Sequence, residues 1–401
     1  MNNDILFRKI SLLAACACVL QIMESFIPLP FPGIKLGLAN LITLITLVTI
    51  GFQASLYVSI IRIVMSSFIL GSFLSPTFIL SFTGGLVSTL AMGLFFVLNK
   101  KSQFLSLIGI SIIGALVHNV TQLSLVFLFF QGNRGILWLV PWLGFSAIVM
   151  GYVTGLVASR VLKKMENISH QTQYSSREKS LHCEHMRPQQ TPLPSSVVSR
   201  LPGMFKIVLF LGCVTFVMIT HNFYCLGMLL CVAAATMMCA GISPVLLVSR
   251  LKKISLLLVF SFIFNVLFSR GGNVLYQVGF IVVTSRGLEA GALVCSRLIL
   301  FIVCAFIIIK TTPADELMRV LKKLISPLIF LGCNTEQLIN RIELSWRSMP
   351  FLWNRMQSMI RPARKAGNKI GFKYAISAAT RAIVAIMMHV ESEAAHGVSR
   401  K

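Results

Sequence analysis

The chain has 401 residues, of which 56% are hydrophobic and only 12% are charged, and its formal net charge is +24. This composition, with a mean hydropathy of +0.83, lies outside the range of soluble globular domains and excludes a soluble enzyme. The basic residues lie in short clusters beside apolar runs and in the C-terminal quarter. This pattern indicates membrane topology and contact with the lipid bilayer rather than a nucleic-acid partner.

Six apolar runs occupy the first part of the chain, at about residues 10–27, 36–50, 52–74, 77–98, 104–130 and 136–161. A membrane-spanning helix needs about 20 mostly apolar residues, so these runs predict six spans. Three basic pairs then fall on one side of the membrane, namely Arg8 with Lys9, Lys100 with Lys101, and Lys163 with Lys164. We expect that side, with the amino terminus, to be cytoplasmic. The first run lacks a convincing cleavage site, so a retained helix is expected rather than a signal peptide.

The first of these spans carries small residues at helical spacing. Ser11 and Ala15 lie four residues apart, as do Ala14 and Cys18. Small residues at this spacing let a second helix approach closely. They predict either a docking surface for the second half of the chain or ordinary packing within the first bundle.

An irregular segment after the first span is the best sequence candidate for substrate contact. It holds three prolines followed by Gly33 and Gly37, which deny it a regular helix. Irregular backbone at membrane depth persists only where protein or a cavity satisfies its polar groups. Lys35 is expected to hold an anionic group, with Glu24 and Asn40 as polar partners. The alternative is an extracytoplasmic turn that leaves Lys35 in solvent.

Four further polar residues interrupt the spans of the first half. Arg62 lies mid-helix, where a charge is costly unless it is paired or faces water, so a functional or interhelical role is expected. His118 and Gln122 lie one turn apart on one helix face, with Asn119 beside them. These three predict either a polar cavity or hydrogen bonds that hold the helices together.

The irregular segment and the span after it resemble the signature of a six-helix membrane family called the Gx transporter family, or component I of heptaprenyl diphosphate synthase. The resemblance covers about residues 1–165, and its core is Pro32, Gly33, Lys35, Gly37 and Asn40. That family is similar to the substrate-binding S components of energy-coupling-factor (ECF) transporters. Prenyl diphosphate synthases hold magnesium with Asp-rich clusters, whereas this chain has only Asp4 and Asp315. A catalytic synthase is therefore not expected.

A polar segment at residues 166–202 divides the chain. It is rich in Ser, Gln, His, Arg and Pro and lacks apolar periodicity, which predicts a flexible cytoplasmic linker. Its run from His182 to His185 has metal-ligand types without a second pair, and the ten cysteines include no CxxC pair. No metal site is therefore expected.

Four apolar runs follow the linker at about residues 204–220, 223–242, 254–268 and 288–309. Arg250, Lys252 and Lys253 predict a cytoplasmic loop, and Lys310 predicts a second one. That topology requires that the shorter run at 274–284 does not cross the membrane. Arg297 lies inside a span and should have a partner or a watery surface.

From about residue 311 the chain reads as amphipathic helices. Three are predicted, at residues 313–331, 335–360 and 374–390, and Arg341, Arg347 and Arg355 are interspersed among the apolar positions of the second. Whether the third one spans the membrane is left open. Three in succession at the end of a membrane protein predict a cytoplasmic platform for a partner.

The second half resembles the T component of ECF transporters, the CbiQ-like coupling subunit, over about residues 200–390. The resemblance rests on the runs 264–268 and 311–317, on Arg297, and on Arg347 with Pro350. In that family two Ala-Arg-Gly-like motifs insert into a pair of ABC ATPases. The matching positions are Arg361, Arg364 and Gly367 for the first motif, and residues 393–397, which contain no arginine, for the second.

Together these features predict an all-α polytopic membrane protein. Its predicted domains are a six-helix S-component-like domain (1–165), a linker (166–202), a T-component-like domain of about four helices (203–310), and coupling helices with a tail (311–401). The predicted substrate-binding residues are Glu24, Gly33, Lys35, Gly37, Asn40, Arg62, His118, Asn119 and Gln122. The predicted ATPase-coupling residues are Arg347, Arg361, Arg364 and Gly367.

The leading functional hypothesis is a membrane subunit of an ECF-type importer in the cell (inner) membrane. No phosphate-binding loop motif occurs in the chain, so it is not expected to be an enzyme. ATP and magnesium would act through partner ATPases, and the chain itself would bind no cofactor. The alternative hypothesis is an accessory scaffold in isoprenoid or quinone synthesis that binds a prenyl diphosphate.

Overall fold

The computed structural model describes residues 3–25, 37–102, 104–129, 134–171, 201–269, 271–278, 281–313, 316–317, 319–320, 323, 335–365, 384–385 and 388. The first half contains α1 (Asn3–Ser25), α2 (Leu38–Thr49), α3 (Phe52–Leu70), α4 (Pro76–Ser102), α5 (Leu107–Phe129), a 3-10 turn (Arg134–Leu139) and α6 (Val140–Gln171). The second half contains α7 (Gly203–Ile219), α8 (Phe223–Cys239), α9 (Pro244–Phe268), strands β1 (Val274–Val278) and β2 (Ile281–Thr284), α10 (Ser285–Thr311) and α11 (Thr335–Lys365).

The chain is an all-α, multi-pass membrane protein with one small hairpin. Within the described ranges, six helices are long and apolar enough to cross a bilayer, namely α1, α3, α4, α5, α6 and α10. Each apolar run predicted for the first half coincides with a helix. Helix α2 has only 12 residues and rises about 18 Å, which is shorter than the hydrocarbon core of a bilayer. It starts after Gly37 and ends before Gly51, whose φ angles of 75° and 125° break the helix.

The basic residues near 250 lie in a helix, which corrects the prediction of a loop. Helix α9 continues from Pro244 to Phe268 and bends by 57° between its Pro244–Lys252 and Ile254–Phe268 parts. Pro244 occupies the first turn, and neither glycine nor proline follows before residue 268. The charge cluster therefore lies at the bend, between the first part of the helix and its apolar second part.

The short apolar run at 274–284 forms an antiparallel hairpin, in which Val278 pairs with Ile281. Strands of five and four residues cannot cross a bilayer as an isolated pair, because their edges would leave backbone groups without partners in lipid. The hairpin leaves Val274, Leu275 and Tyr276 more than half exposed. The β-branched and aromatic residues of this run favour a strand over a helix.

Helices α5 and α6 pack at very short range through two glycines four residues apart. A Cβ atom on Gly151 would lie 2.7 Å from the Cα of Ile112, and one on Gly155 would lie 2.7 Å from the Cα of Ile108. Backbone against backbone at this range is possible only for residues without a side chain. The pair therefore sets the separation of the two helices.

Helix α11 of the second half lies along α1 of the first half. Ser345 Oγ donates to the Ser11 carbonyl at 2.7 Å, and the sulfur atoms of Cys18 and Met349 are 3.9 Å apart. The small residues of α1 that predicted a docking surface, Ser11, Ala14, Ala15 and Cys18, are all fully buried. Of the two interpretations of that face, the structure supports docking of the second half.

The two halves also meet at the far end of α3. The Gly71 carbonyl, at the C-terminal end of α3, accepts a hydrogen bond from Arg250 near the start of α9. The ring of Phe129, the last residue of α5, lies 6.4 Å from the ring of Phe301 in α10. The ends of α3 and α5 therefore lie beside the first part of α9 and the middle of α10.

The predicted helix 313–331 is described only in part. The amides of Glu316 and Leu317 donate to the Pro313 carbonyl at 3.1 and 3.0 Å, so helical bonding starts at the predicted residue. Glu316 also accepts from the Gly203 amide at 2.5 Å, which ties this start to α7. The rest of this helix, and the predicted helix 374–390 apart from 384–385 and 388, lie outside the described residues.

Candidate functional site

The helices of the first half surround a polar cavity. Its interior volume is about 80 Å³, and the larger space of about 890 Å³ includes solvent at its mouth. It is lined by Gln21, Glu24, Gly37, Asn40, Leu44, Arg62, Ile63, Ser81, Met92, Ser111, Gly114, Ala115, His118, Asn119, Gln122, Ser146, Ala147, Met150, Gly151 and Thr154. Charged and polar side chains inside an apolar helix bundle are costly and commonly mark a functional site, so this cavity is the candidate site.

Most of the predicted substrate-binding residues converge on this cavity. Those that line it are Glu24, Gly37, Asn40, Arg62, His118, Asn119 and Gln122. Gly33 and Lys35 lie outside the described residues. The structure therefore brings together residues from α1, α2, α3 and α5 that are far apart in the sequence, and their role in binding stays a prediction.

Arg62 is the central charged group of the cavity. Its side chain is buried, at 5% exposure, where an uncompensated charge would be very costly. Nη2 donates to Asn40 Oδ1 at 2.6 Å, and Nη1 donates to Gln21 Oε1 at 3.3 Å. The carboxylate of Glu24 adds a favourable electrostatic interaction. Arg62 thus has the partners that its position in the span required.

Glu24 and Gly37 join the end of α1 to the start of α2. Glu24 Oε1 accepts a hydrogen bond from the Gly37 amide at 2.8 Å. Gly37 has a φ of +75°, which favours glycine, and a Cβ atom there would lie 3.3 Å from Thr154 Oγ1. The glycine therefore allows the chain to turn into α2 while its amide holds the carboxylate of Glu24 in place.

Asn119 and Gln122 both line the cavity and form hydrogen bonds between helices, which are the two roles that the sequence left open. Asn119 Nδ2 donates to the Leu143 carbonyl of α6 at 2.9 Å, and Gln122 Nε2 donates to the Leu80 carbonyl of α4 at 3.3 Å. Both side chains also line the cavity. They hold α4, α5 and α6 together and contribute polar groups to the site.

Gln21 is a cavity residue that the sequence interpretation missed. It accepts from Arg62 and lies one turn before Glu24 on α1. The signal was present, because a second polar residue at i−3 from Glu24 in an apolar helix marks a polar face. Ser81, Ser146 and Thr154 were also missed, and a hydroxyl in an apolar span carries a weaker signal because it can bond to its own helix.

Three of the predicted coupling residues lie on α11, and the fourth, Gly367, follows its last residue. Arg347 is exposed and pairs with Glu343 at 2.5 Å on the same helix. Arg361 and Arg364 fall within α11, although their side chains lie outside the description, as does the whole of Gly367. The structure thus places three of these residues on one helix of 31 residues.

Arg341 is an interface residue that the sequence did not identify. It was interpreted as one of several charges interspersed along the amphipathic helix, whereas only 6% of it is exposed. Its guanidinium lies 4.0 Å from the ring centre of Tyr57 in α3 and 5.6 Å from that of Phe7 in α1. A guanidinium over aromatic rings retains a favourable environment for its charge.

Arg297 in α10 has the partner that its position predicted. It is almost fully buried, and Nη2 donates to the Thr220 carbonyl at 2.5 Å. Thr220 ends α7, where backbone carbonyls lack helical partners and a cation is favourable. Arg297 therefore closes the end of α7 against α10.

Comparisons with known proteins match the chain in two segments, one before and one after the middle of the polar segment at 166–202. Residues 13–161 match the family model described as heptaprenyl diphosphate synthase component I, and residues 194–392 match CbiQ, described as a cobalt transport protein. The energy-coupling factor transporter transmembrane protein EcfT of Listeria innocua is 21% identical over 173 residues, which are 43% of this chain and 65% of that protein. EcfT of Leuconostoc gelidum is 31% identical over 117 residues, 29% of this chain and 44% of that protein.

The same protein from Bacillus subtilis is 22% identical over 173 residues, which are 43% of this chain and 65% of the relative. The chain therefore spans less than two thirds of the length of these curated relatives. The matches support two parts of different origin in one chain, one on each side of the polar segment.

Proposed function

The chain joins a segment that matches the heptaprenyl diphosphate synthase component I family to a segment that matches the CbiQ family, and we propose that it is the membrane subunit of an ECF-type importer. The first half would capture a small-molecule substrate in the polar cavity. The second half would couple that capture to a pair of separate ABC ATPases, which would supply ATP and magnesium. The chain itself would catalyse no reaction and bind no cofactor.

The observation that carries this proposal is the position of α11. One continuous helix of 31 residues carries Arg347, Arg361 and Arg364, which are predicted coupling residues, and also contacts the first half. Its contact residues on α1 and α3 are close in sequence to the cavity, because Tyr57 precedes Arg62 on α3 and Cys18 precedes Gln21 on α1. A displacement of α11 by an ATPase would therefore act on the helices that form the site.

The relative position of the two halves supports a reorienting mechanism. If the basic pairs of the first half face the cytoplasm, the Gly71 end of α3 belongs to the opposite side. That end contacts Arg250, which lies in the basic first part of α9, on the side expected to be cytoplasmic. The first half is then tilted or displaced relative to the second. We propose that it alternates between this arrangement and an upright one in which the cavity faces outward.

A second candidate function follows from the match of the first half. A membrane scaffold that binds a prenyl diphosphate for a soluble synthase would fit the description of that family. The absence of arginine from residues 393–397, where the second coupling motif would lie, also favours it. The two candidates differ in their soluble partner, and that difference can be measured.

Co-purification from the native host, followed by mass spectrometry, tests the proposal. The full-length chain extracted in mild detergent should bring down ABC ATPase subunits. Changing Arg361 and Arg364 together to Gln should lower that recovery at least about tenfold, since charged contacts at an interface are each worth roughly 1 kcal/mol or more.

The matched control changes Lys163 and Lys164, two exposed cations at the end of α6, together to Gln. This control should recover ATPases at the native level. Recovery of a soluble prenyltransferase, with ATPases at background in every sample, would overturn the transport proposal and support the scaffold.

A further inference from the structure

The hydrogen-bonding groups of the polar cavity define the class of molecule that it can hold. Resting on the proposed role of the first half in substrate capture, we propose that the cavity binds a small neutral or zwitterionic molecule. That molecule carries a hydrogen-bond acceptor for the Arg62 side of the cavity and an N–H donor for the Asn119 and Gln122 side. A prenyl diphosphate does not fit this description.

The side of the cavity formed by α1, α2 and α3 presents donors. Gln21 and Asn40 both use their amide oxygens to accept from Arg62, so their amide nitrogens are directed away from it and can donate to a ligand. The buried Nε of Arg62 has no hydrogen-bond acceptor among the described residues. A carbonyl or carboxylate oxygen of a ligand would supply the missing acceptor at this side.

The side formed by α5 presents acceptors. The nitrogen of Asn119 donates to the Leu143 carbonyl, and that of Gln122 donates to the Leu80 carbonyl. A backbone carbonyl can only accept, so the orientation of both amides is set and neither can be flipped. Asn119 Oδ1 and Gln122 Oε1 accept from no described residue, and both side chains line the cavity. They are therefore available to an N–H group of a ligand.

The charges of the described lining residues disfavour a strongly anionic ligand. The described lining residues include one arginine (Arg62), one carboxylate (Glu24), one histidine (His118) and no lysine. The charges of Arg62 and Glu24 cancel, and Arg62 is already bonded to two amide oxygens. A diphosphate carries several negative charges and would need more cations than the described lining residues supply. The Glu24 carboxylate and the two free amide oxygens would repel it further.

Thermal stabilisation of the full-length protein in detergent, followed by tryptophan fluorescence, tests the inference. The probes are common metabolites sorted into neutral and zwitterionic N–H carriers, carboxylate anions, and phosphorylated anions that include inorganic pyrophosphate and geranyl diphosphate. A compound that binds only the folded protein raises its melting temperature. The largest saturable shift should come from the neutral and zwitterionic group. The inference would be overturned if any class of anionic probes gave a larger shift in melting temperature, or if the neutral and zwitterionic probes gave none.

Two variants at Gln122 isolate the acceptor. Gln122→Met and Gln122→Glu both lose the hydrogen bond from Nε2 to the Leu80 carbonyl, but Gln122→Glu keeps an acceptor oxygen. The Kd of the best probe should rise at least about tenfold in Gln122→Met, because the N–H group of the probe would lose its acceptor. In Gln122→Glu the Kd should stay near the native value or fall. Equal weakening in both variants would contradict the assignment of this oxygen.

The binding experiment and the co-purification experiment can fail independently of each other. ATPases recovered together with tight binding of geranyl diphosphate would overturn the substrate class alone. Binding of neutral or zwitterionic probes without any ATPase partner would retain the substrate class and overturn the importer.

Discussion

Two arginines on α11 show how position, rather than residue type, decides the role of a charge in this protein. Arg341 is buried between α11, α1 and α3, over the rings of Tyr57 and Phe7. Arg347, less than two turns further on, is about two thirds exposed and pairs with Glu343. An exposed ion pair is worth about 0–1 kcal/mol. A buried cation held over aromatic rings is worth more, because its loss also opens the interface.

We therefore predict different effects of alanine at the two positions. Arg341→Ala should lower the free energy of unfolding by about 2–4 kcal/mol, since it removes both the packing of the side chain and its stacking on Tyr57. Arg347→Ala should change it by less than about 0.5 kcal/mol. The loss of unfolding free energy in Arg341→Lys should lie between these two values, because an ammonium cannot stack as a planar guanidinium does. Chemical denaturation of the three variants in detergent measures this order, and equal stability of Arg341→Ala and Arg347→Ala would refute it.

At the scale of the helices, α5 and α6 form the wall of the cavity that carries the acceptors. Their separation is set by Gly151 and Gly155, which contact the backbone of α5 directly. The same separation lets Asn119 of α5 reach the Leu143 carbonyl of α6. Close packing of these helices and the orientation of a cavity side chain therefore depend on the same contact.

Alanine at Gly151 should disrupt this contact. The added Cβ atom would lie 2.7 Å from the Ile112 Cα, so the helices must move apart, at a cost of about 1–3 kcal/mol. Gly144→Ala in the same helix is the matched control, because nothing lies within 4 Å of its added Cβ atom. It should be neutral or slightly stabilising, since alanine favours a helix over glycine. Melting temperatures of the two variants test this, and similar losses in both would show that the packing is not the cause.

At the scale of the whole molecule, the described residues of the two halves meet in at least three regions. Helix α11 covers α1 and α3, Arg250 binds the Gly71 carbonyl, and the rings of Phe129 and Phe301 meet. The first contact is predominantly apolar and fully buried along α1. A covalent linker would then place the halves together at high effective concentration, while the contacts themselves would hold them.

We predict that the halves remain associated after the linker is cut. A protease site inserted within residues 172–200 should be cleaved without separating the two fragments during size-exclusion chromatography in mild detergent. Arg250→Ala combined with Arg341→Ala should separate the cut fragments, because it removes two polar anchors of the interface. The uncut double variant is the control for folding. Separation of the native fragments on cleavage would show that the linker alone holds the halves.

The sequence by itself determined the membrane-spanning helices and the polar residues within them. Apolar runs of sufficient length must form helices in lipid, because every backbone group needs an internal partner there. A charge such as Arg62 must likewise have a compensating environment. These requirements are local, and they can be derived from one stretch of chain at a time.

Only the tertiary structure decided which of these residues meet. The convergence of Glu24, Asn40, Arg62 and Gln122 on one cavity depends on how α1 to α6 pack. The burial of Arg341 depends on Tyr57 of α3 and Phe7 of α1, which lie far earlier in the sequence. Each of these outcomes is set by contacts between distant segments, and hydropathy and charge read along one segment contain no information about its neighbours.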